Sequence, residues 1–215
     1  MSDEAGTQGL SQRLTIGGSP AELTRFPVAM GAYFTRTEEI VSELIQRVTG
    51  GPWSHVGLWF GFANGRRVRF EALAGKGFRG PLEWGPLVDF SGRHVRRVVL
   101  VRTLAVDPGH VIGAWIEAEK AVAQWKDAYG EAQLLTLWAW IRLRNLLAKA
   151  GLDLRMRDDP RRVVCSEAVS RLLAPLNIDC RHDVYTTHDA TTPVSVERSL
   201  RQFLAEPDVY MQAQG

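Results

Sequence analysis

The sequence predicts an α+β domain: a central antiparallel sheet packed against a cysteine-bearing helix, with additional helices over the remaining faces. Three observations lead there. Short β-type runs follow one another around Asn64-Gly65, the strongest hairpin signal a sequence carries. Apolar residues at helical spacing recur in four stretches between and after them. Finally, the 215 residues, 45% hydrophobic, suffice for one substantial core.

In chain order, residues 1–26 read as a flexible arm punctuated by Gly17-Gly18-Ser19-Pro20, and 27–215 as a single domain. Val28 to Phe34 suits a strand. Glu38 to Val48 suits a helix with Ile40, Val41, Leu44, Ile45 and Val48 on one face, stopped by Gly50-Gly51-Pro52. Val56 to Gly61, Arg67 to Ala72 and Val95 to Leu104 are three further strands, the first two joined at Asn64-Gly65. Helices are expected over about His110 to Tyr129 and Glu131 to Ala150, the second ended by Gly151. Cys165 opens another, with Ala168, Val169, Leu172, Leu173 and Leu176 on one side, ending near Asn177. Near the C-terminus Thr191 or Thr192 caps a short helix with Pro193 in an early position.

Charge and cysteine content narrow the function classes. Lysine and arginine (26) nearly balance aspartate and glutamate (24), and a formal charge of +2 argues against a nucleic-acid partner. Two cysteines cannot build a secreted disulfide framework, and free thiols in a reducing compartment are expected. The N-terminus is acidic and polar where a signal peptide needs a basic start and an apolar stretch, so a cytoplasmic location is expected. No window approaches the roughly 18 to 20 apolar residues of a spanning helix.

Chemistry concentrates at two positions. Cys165 ends a short apolar run and starts a helix, where unpaired amide N–H groups and the positive end of the dipole favour thiolate over thiol. His55 begins a strand, where an imidazole within reach of that sulfur serves as base and then as the leaving group's acid. No metal or organic cofactor is expected. Cys180, His182 and His188 form a C-x-H-x5-H cluster, but a fourth clear ligand is missing. Trp53 and Trp59 flank the histidine and are expected to wall the substrate, with Ser54 and Ser166 beside the reacting pair. The Glu131 to Ala150 helix joins Leu134, Leu135, Trp138, Ile141 and Leu146 to Arg142, Arg144 and Lys149; packing on the sheet explains it more cheaply than a peripheral lipid contact.

The runs FTRTEEIVSELIQRVTGGPWSHVGLWFG, FEALAGKGFRGPL, VVCSEAVSRLL and TTPVSVERSL resemble the landmarks of the circularly permuted NlpC-type papain-like cysteine hydrolases, the YiiX-like branch. The similarity spans about Val28 to Leu200, and the histidine precedes the cysteine, as in that branch and in lecithin:retinol acyltransferase relatives. The resemblance implies His55 of Ser54-His55-Val56-Gly57 as base, Cys165 of Cys165-Ser166-Glu167 as nucleophile and Glu71 on the next strand as the residue that orients the imidazole. The Cys165 backbone N–H, with Ser54 or Tyr129, supplies oxyanion donors. Relatives commonly carry Tyr-Asp after the sheet, whereas here Tyr129 is followed by Gly130-Glu131. The expected activity is a thiol hydrolase acting on an amide or peptide, such as a cell-wall peptide. Two alternatives stand beside it: an acyltransferase or lipase on lipid acyl groups, and a binding module with an idle triad.

Overall fold

The computed structural model describes residues 25–37, 40–73, 76–84, 97–126, 164–180, 191–204 and 209–213. Their elements in order are β1 (Pro27–Arg36), α1 (Ile40–Thr49), β2 (His55–Phe62), β3 (Arg67–Leu73), β4 (Gly77–Glu83), β5 (Arg97–Thr103), α2 (Pro108–Gln124), α3 (Cys165–Leu173), α4 (Pro193–Leu200) and β6 (Val209–Ala213), with 3-10 turns after α3 and α4. The strands form one sheet in the order β4-β3-β2-β1-β5-β6, every neighbouring pair antiparallel. The fold class is therefore mixed α and β around an antiparallel sheet, as expected. Among the described residues no helix is long and apolar enough to cross a membrane.

Two strands were not foreseen. β4 contains Gly77, Gly80 and Pro81, residues that weaken a strand, and it survives because it lies at the sheet edge, where a missing N–H costs no ladder bond. β6 closes the opposite edge on β5. The Asn64-Gly65 hairpin forms between β2 and β3, with Gly65 at φ +82°. Helix α2 starts two residues earlier than the apolar pattern suggests, because Asp107 caps it by accepting from the His110 N–H and Pro108 fills the first turn. Helix α3 stops at Leu173, and the chain tightens into a 3-10 turn through Pro175 before Asn177 takes a left-handed conformation. Thr192, rather than Thr191, caps α4, its hydroxyl accepting from the Ser195 N–H. The expected arm is outside the described residues up to Thr24, and so is the expected helix over 131–150.

β2 is buried along nearly its whole length, so the sheet is covered on both sides at its centre. On one face Met30, Phe34, Leu58, Phe60, Phe70 and Leu100 meet α2 and α3. Trp115 of α2 anchors that contact, edge-on to Phe60, Phe62 and Phe70 at centroid distances of 5.3, 5.4 and 5.3 Å. The opposite face carries a smaller cluster of Tyr33, Trp59 and Val101.

That second face depends on Gly57, which lies opposite Tyr33 in the β1–β2 register. A Cβ at Gly57 would approach the Tyr33 ring to 2.5 Å. The phenol therefore lies across the strand only because the third position after Ser54 has no side chain. Gly57→Ala is expected to destabilise the protein by about 1–3 kcal/mol through overpacking. Gly113→Ala, on an exposed stretch of α2 with nothing within 4 Å of the new methyl, should instead stabilise by about 0.5–1 kcal/mol. Urea unfolding of the two variants checks the pair; shifts of the same sign contradict this reading of Gly57.

Candidate active site

Cys165 is the first residue of α3, and the helix is held at that end by its own neighbours. The Glu167 carboxylate accepts the Val164 N–H at 3.3 Å and pairs with Arg171 at 2.6 Å. The Ser166 hydroxyl donates to the Thr191 carbonyl at 2.6 Å, tying the nucleophile's helix to the segment that enters α4. His55 is the first residue of β2, preceded by Ser54, whose N–H and hydroxyl both reach the Thr35 carbonyl of β1, at 3.0 and 3.3 Å. Glu71 lies on β3, the strand paired with β2.

The fold brings these three together. The His55 side chain, 17% exposed, places Nε2 3.5 Å from Oε2 of Glu71, an ion contact rather than a short hydrogen bond. The imidazole also lies near enough to the Cys165 sulfur for each to shift the other's titration, and with Nε2 turned to the carboxylate, Nδ1 is the ring nitrogen left to face it. The backbone N–H groups of Val56 and Ser166 also favour the ionised form of that sulfur.

Electrostatics follow from this contact. Burial by itself pushes the imidazole toward neutrality, yet the Cys165 sulfur and then Glu71 outweigh it and raise the His55 pKa from 6.5 to about 9. Burial likewise opposes ionisation of Cys165, but His55 and the two backbone N–H groups bring its pKa below the ordinary thiol value. Burial also works against the Glu71 carboxylate, which His55, Arg69 and Tyr33 nevertheless hold far below the usual carboxylate range. Each partner thus favours the charged form of the other, His55 shifted toward imidazolium and Cys165 toward thiolate. Cys180, also a free and buried thiol, is the opposite case: burial and then Asp179 push it up to about 12.

Sequence reasoning missed the group that fixes Glu71. The fully buried Tyr33 hydroxyl donates to Oε2 at 2.8 Å, while Arg79 donates to Oε1 at 3.2 Å and Arg69 Nε lies 3.6 Å from it. Burial and then Glu71 raise the Tyr33 pKa well above the usual phenol value, so the group remains a donor. The signal available in the sequence was the aromatic two residues before Thr35, opposite a glycine, but only the register reveals it.

Four other expectations need restating. Trp53 is not an open wall: it is buried against Phe34, and its indole N–H donates to Glu197 at 3.0 Å. Trp59 is likewise buried, its N–H donating to the Arg102 carbonyl at 3.2 Å through space that Gly31 leaves open. Ser54 is not turned toward a substrate carbonyl, because its hydroxyl is enclosed between Ser42 and Thr35. The Ser166 hydroxyl is engaged by the Thr191 carbonyl rather than turned to a substrate. Tyr129, His182, His188 and the helix expected at 131–150 lie outside the described residues. Among the described residues no group of three or more metal-ligating side chains occurs.

Neither a scan against protein-family models nor a search of curated proteins finds a match to this chain. The arrangement is therefore read from its own chemistry, a thiol with a lowered pKa beside a buried, carboxylate-backed imidazole.

One pH effect follows from these directions. Iodoacetamide should alkylate Cys165 below the ordinary thiol range and leave Cys180 untouched at neutral pH, with His55→Ala moving the Cys165 onset upward. Mass spectrometry of each cysteine's peptide reads this directly.

Proposed function

We propose that this protein is a cysteine-dependent hydrolase of the permuted papain-like type, cleaving an amide or peptide bond through a thioester acyl-enzyme. The single observation that carries the reading is the contiguity of Cys165, His55 and Glu71, three residues from separate elements that meet as nucleophile, base and orienting carboxylate. The order of elements supports it as well. A histidine strand within an antiparallel sheet precedes a cysteine helix packed on that sheet, the arrangement expected of the permuted branch.

In the reaction the Cys165 Sγ thiolate attacks the carbonyl carbon, forming a C–S bond, and the carbonyl electron pair moves onto oxygen. First-turn N–H groups of a helix have no partner inside it, and that of Cys165 itself is the donor assigned here to the developing oxyanion. Collapse breaks the C–N bond as imidazolium His55 gives its proton to the departing amine. His55, now neutral, takes a proton from water, the water oxygen attacks the thioester carbon, and the C–S bond breaks to release the acid and restore the thiolate. Glu71 stays 3.5 Å from the ring's other nitrogen, where its charge favours a proton on Nε2 and orients the imidazole. The substrate class that suits this chemistry is a peptide or amide, with a cell-wall peptide linkage as the leading case.

An activity-based electrophile that mimics an acyl donor tests the proposal. Labelling should vanish in Cys165→Ala and persist in Cys180→Ala. With a turned-over amide, His55→Ala should lower kcat/KM by at least about 10²–10⁴-fold, and Glu71→Gln should cost less, because the amide still positions the ring. Equal, slow labelling at both cysteines would leave a binding module with an idle triad.

A further inference from the structure

The imidazole of His55 and the phenol of Tyr33 converge from different strands on one oxygen, Oε2 of Glu71, and they do not share it evenly. The Tyr33 hydroxyl donates to it at 2.8 Å, whereas His55 Nε2 stops at 3.5 Å and is a buried nitrogen with no hydrogen-bond partner. A buried nitrogen in that state is costly, so its separation from the carboxylate needs a cause. The carboxylate is not free to turn toward it. Its other oxygen, Oε1, accepts from Arg79 of β4 at 3.2 Å, so both ends are held. The phenol cannot give way either: Tyr33 is fully buried, packed edge-on against Trp84 at 5.4 Å and lodged over Gly57, where a methyl group would not fit.

We propose that Tyr33 is a positioning residue of the reaction: by occupying Oε2 it keeps Glu71 a close but unbonded neighbour of the imidazole. The consequence, which rests on the hydrolase reading above, lies in proton transfer. His55 has to give a proton to the departing amine and then take one from water, and a carboxylate bonded tightly to Nε2 favours the protonated ring in both steps. A phenol that donates to the same oxygen draws off part of its negative charge and holds it at a distance. The ring is then oriented without being held protonated. The titratable and charged groups around the pair, Arg69 on the strand of Glu71, Arg79 on β4 and Cys165 on α3 beside His55, stay in place when the Tyr33 hydroxyl alone is removed.

NMR titration of His55 in the full-length Cys165→Ala protein reads this with the sulfur's influence removed and without any substrate. Adding Tyr33→Phe should raise the imidazole midpoint by about half a pH unit or more, because Oε2 then turns its whole charge to the ring. A phenol that merely props up the fold predicts the opposite, since a carboxylate freed to turn away lowers the midpoint. Glu71→Gln should lower it, and in that background Tyr33→Phe should leave it unmoved. Should Tyr33→Phe not fold, 3-fluorotyrosine in place of tyrosine, a stronger phenol donor, carries the reverse sign and should lower the midpoint. A midpoint that stays or falls in Tyr33→Phe, that stays or rises with 3-fluorotyrosine, or that responds to Tyr33→Phe equally in Glu71→Gln, overturns the inference. The hydrolase reading stands or falls separately, on selective labelling of Cys165 over Cys180.

Discussion

The structure of the site turns on one buried carboxylate. Glu71 is removed from water on the second face of the sheet, a placement that costs several kcal/mol for an ion unless partners replace its hydration. Tyr33, Arg69, Arg79 and His55 are those partners. Each is there for a local reason: Arg69 precedes Glu71 by two on the same strand face, Arg79 is its cross-strand neighbour, and Tyr33 reaches over because Gly57 leaves room. The carboxylate in turn orients the imidazole, and the imidazole favours ionisation of the sulfur. Sequence, register and reactivity are thus one chain of dependence.

A second group of contacts holds the two reacting elements in place from the other side. Glu197 of α4 is buried and accepts from the Trp53 indole at 3.0 Å, pairs with Arg102 of β5 at 2.9 Å and also takes Arg201 at 3.2 Å. Trp53 lies two residues before His55, so the strand entry is pinned to α4 and β5 together. The same α4 segment receives the Ser166 hydroxyl at Thr191, one residue after the nucleophile. Base and nucleophile, far apart in the chain, are therefore referenced to a common support. Reactive groups need that kind of backing to stay within hydrogen-bond reach.

Much of this was legible in the sequence. Cys165 at a helix start and His55 at a strand start could be read from periodicity, because an apolar face at helical spacing and a short buried run are strong local signals. The Asn64-Gly65 turn, Thr192 with Pro193, and the expected antiparallel sheet follow from equally local chemistry. What could not be read depends on register or on distant partners. Tyr33 looks like any core aromatic until β1 is aligned with β2, and Trp53 and Trp59 look like candidate substrate walls until Glu197 and the Arg102 carbonyl are brought to their indole nitrogens. Ser54, a tempting oxyanion donor beside a histidine, is enclosed by Ser42, a residue twelve positions earlier that no spacing rule links to it. β4 escaped because glycine and proline argue against a strand unless its edge position is known.

The most direct test of the ion pair on which the account rests is an NMR titration of the His55 imidazole in the wild-type protein and in Cys165→Ala. The account predicts a wild-type midpoint near 9 and a clearly lower one once the sulfur is gone. An imidazole that titrates near 6.5 in both proteins would contradict it.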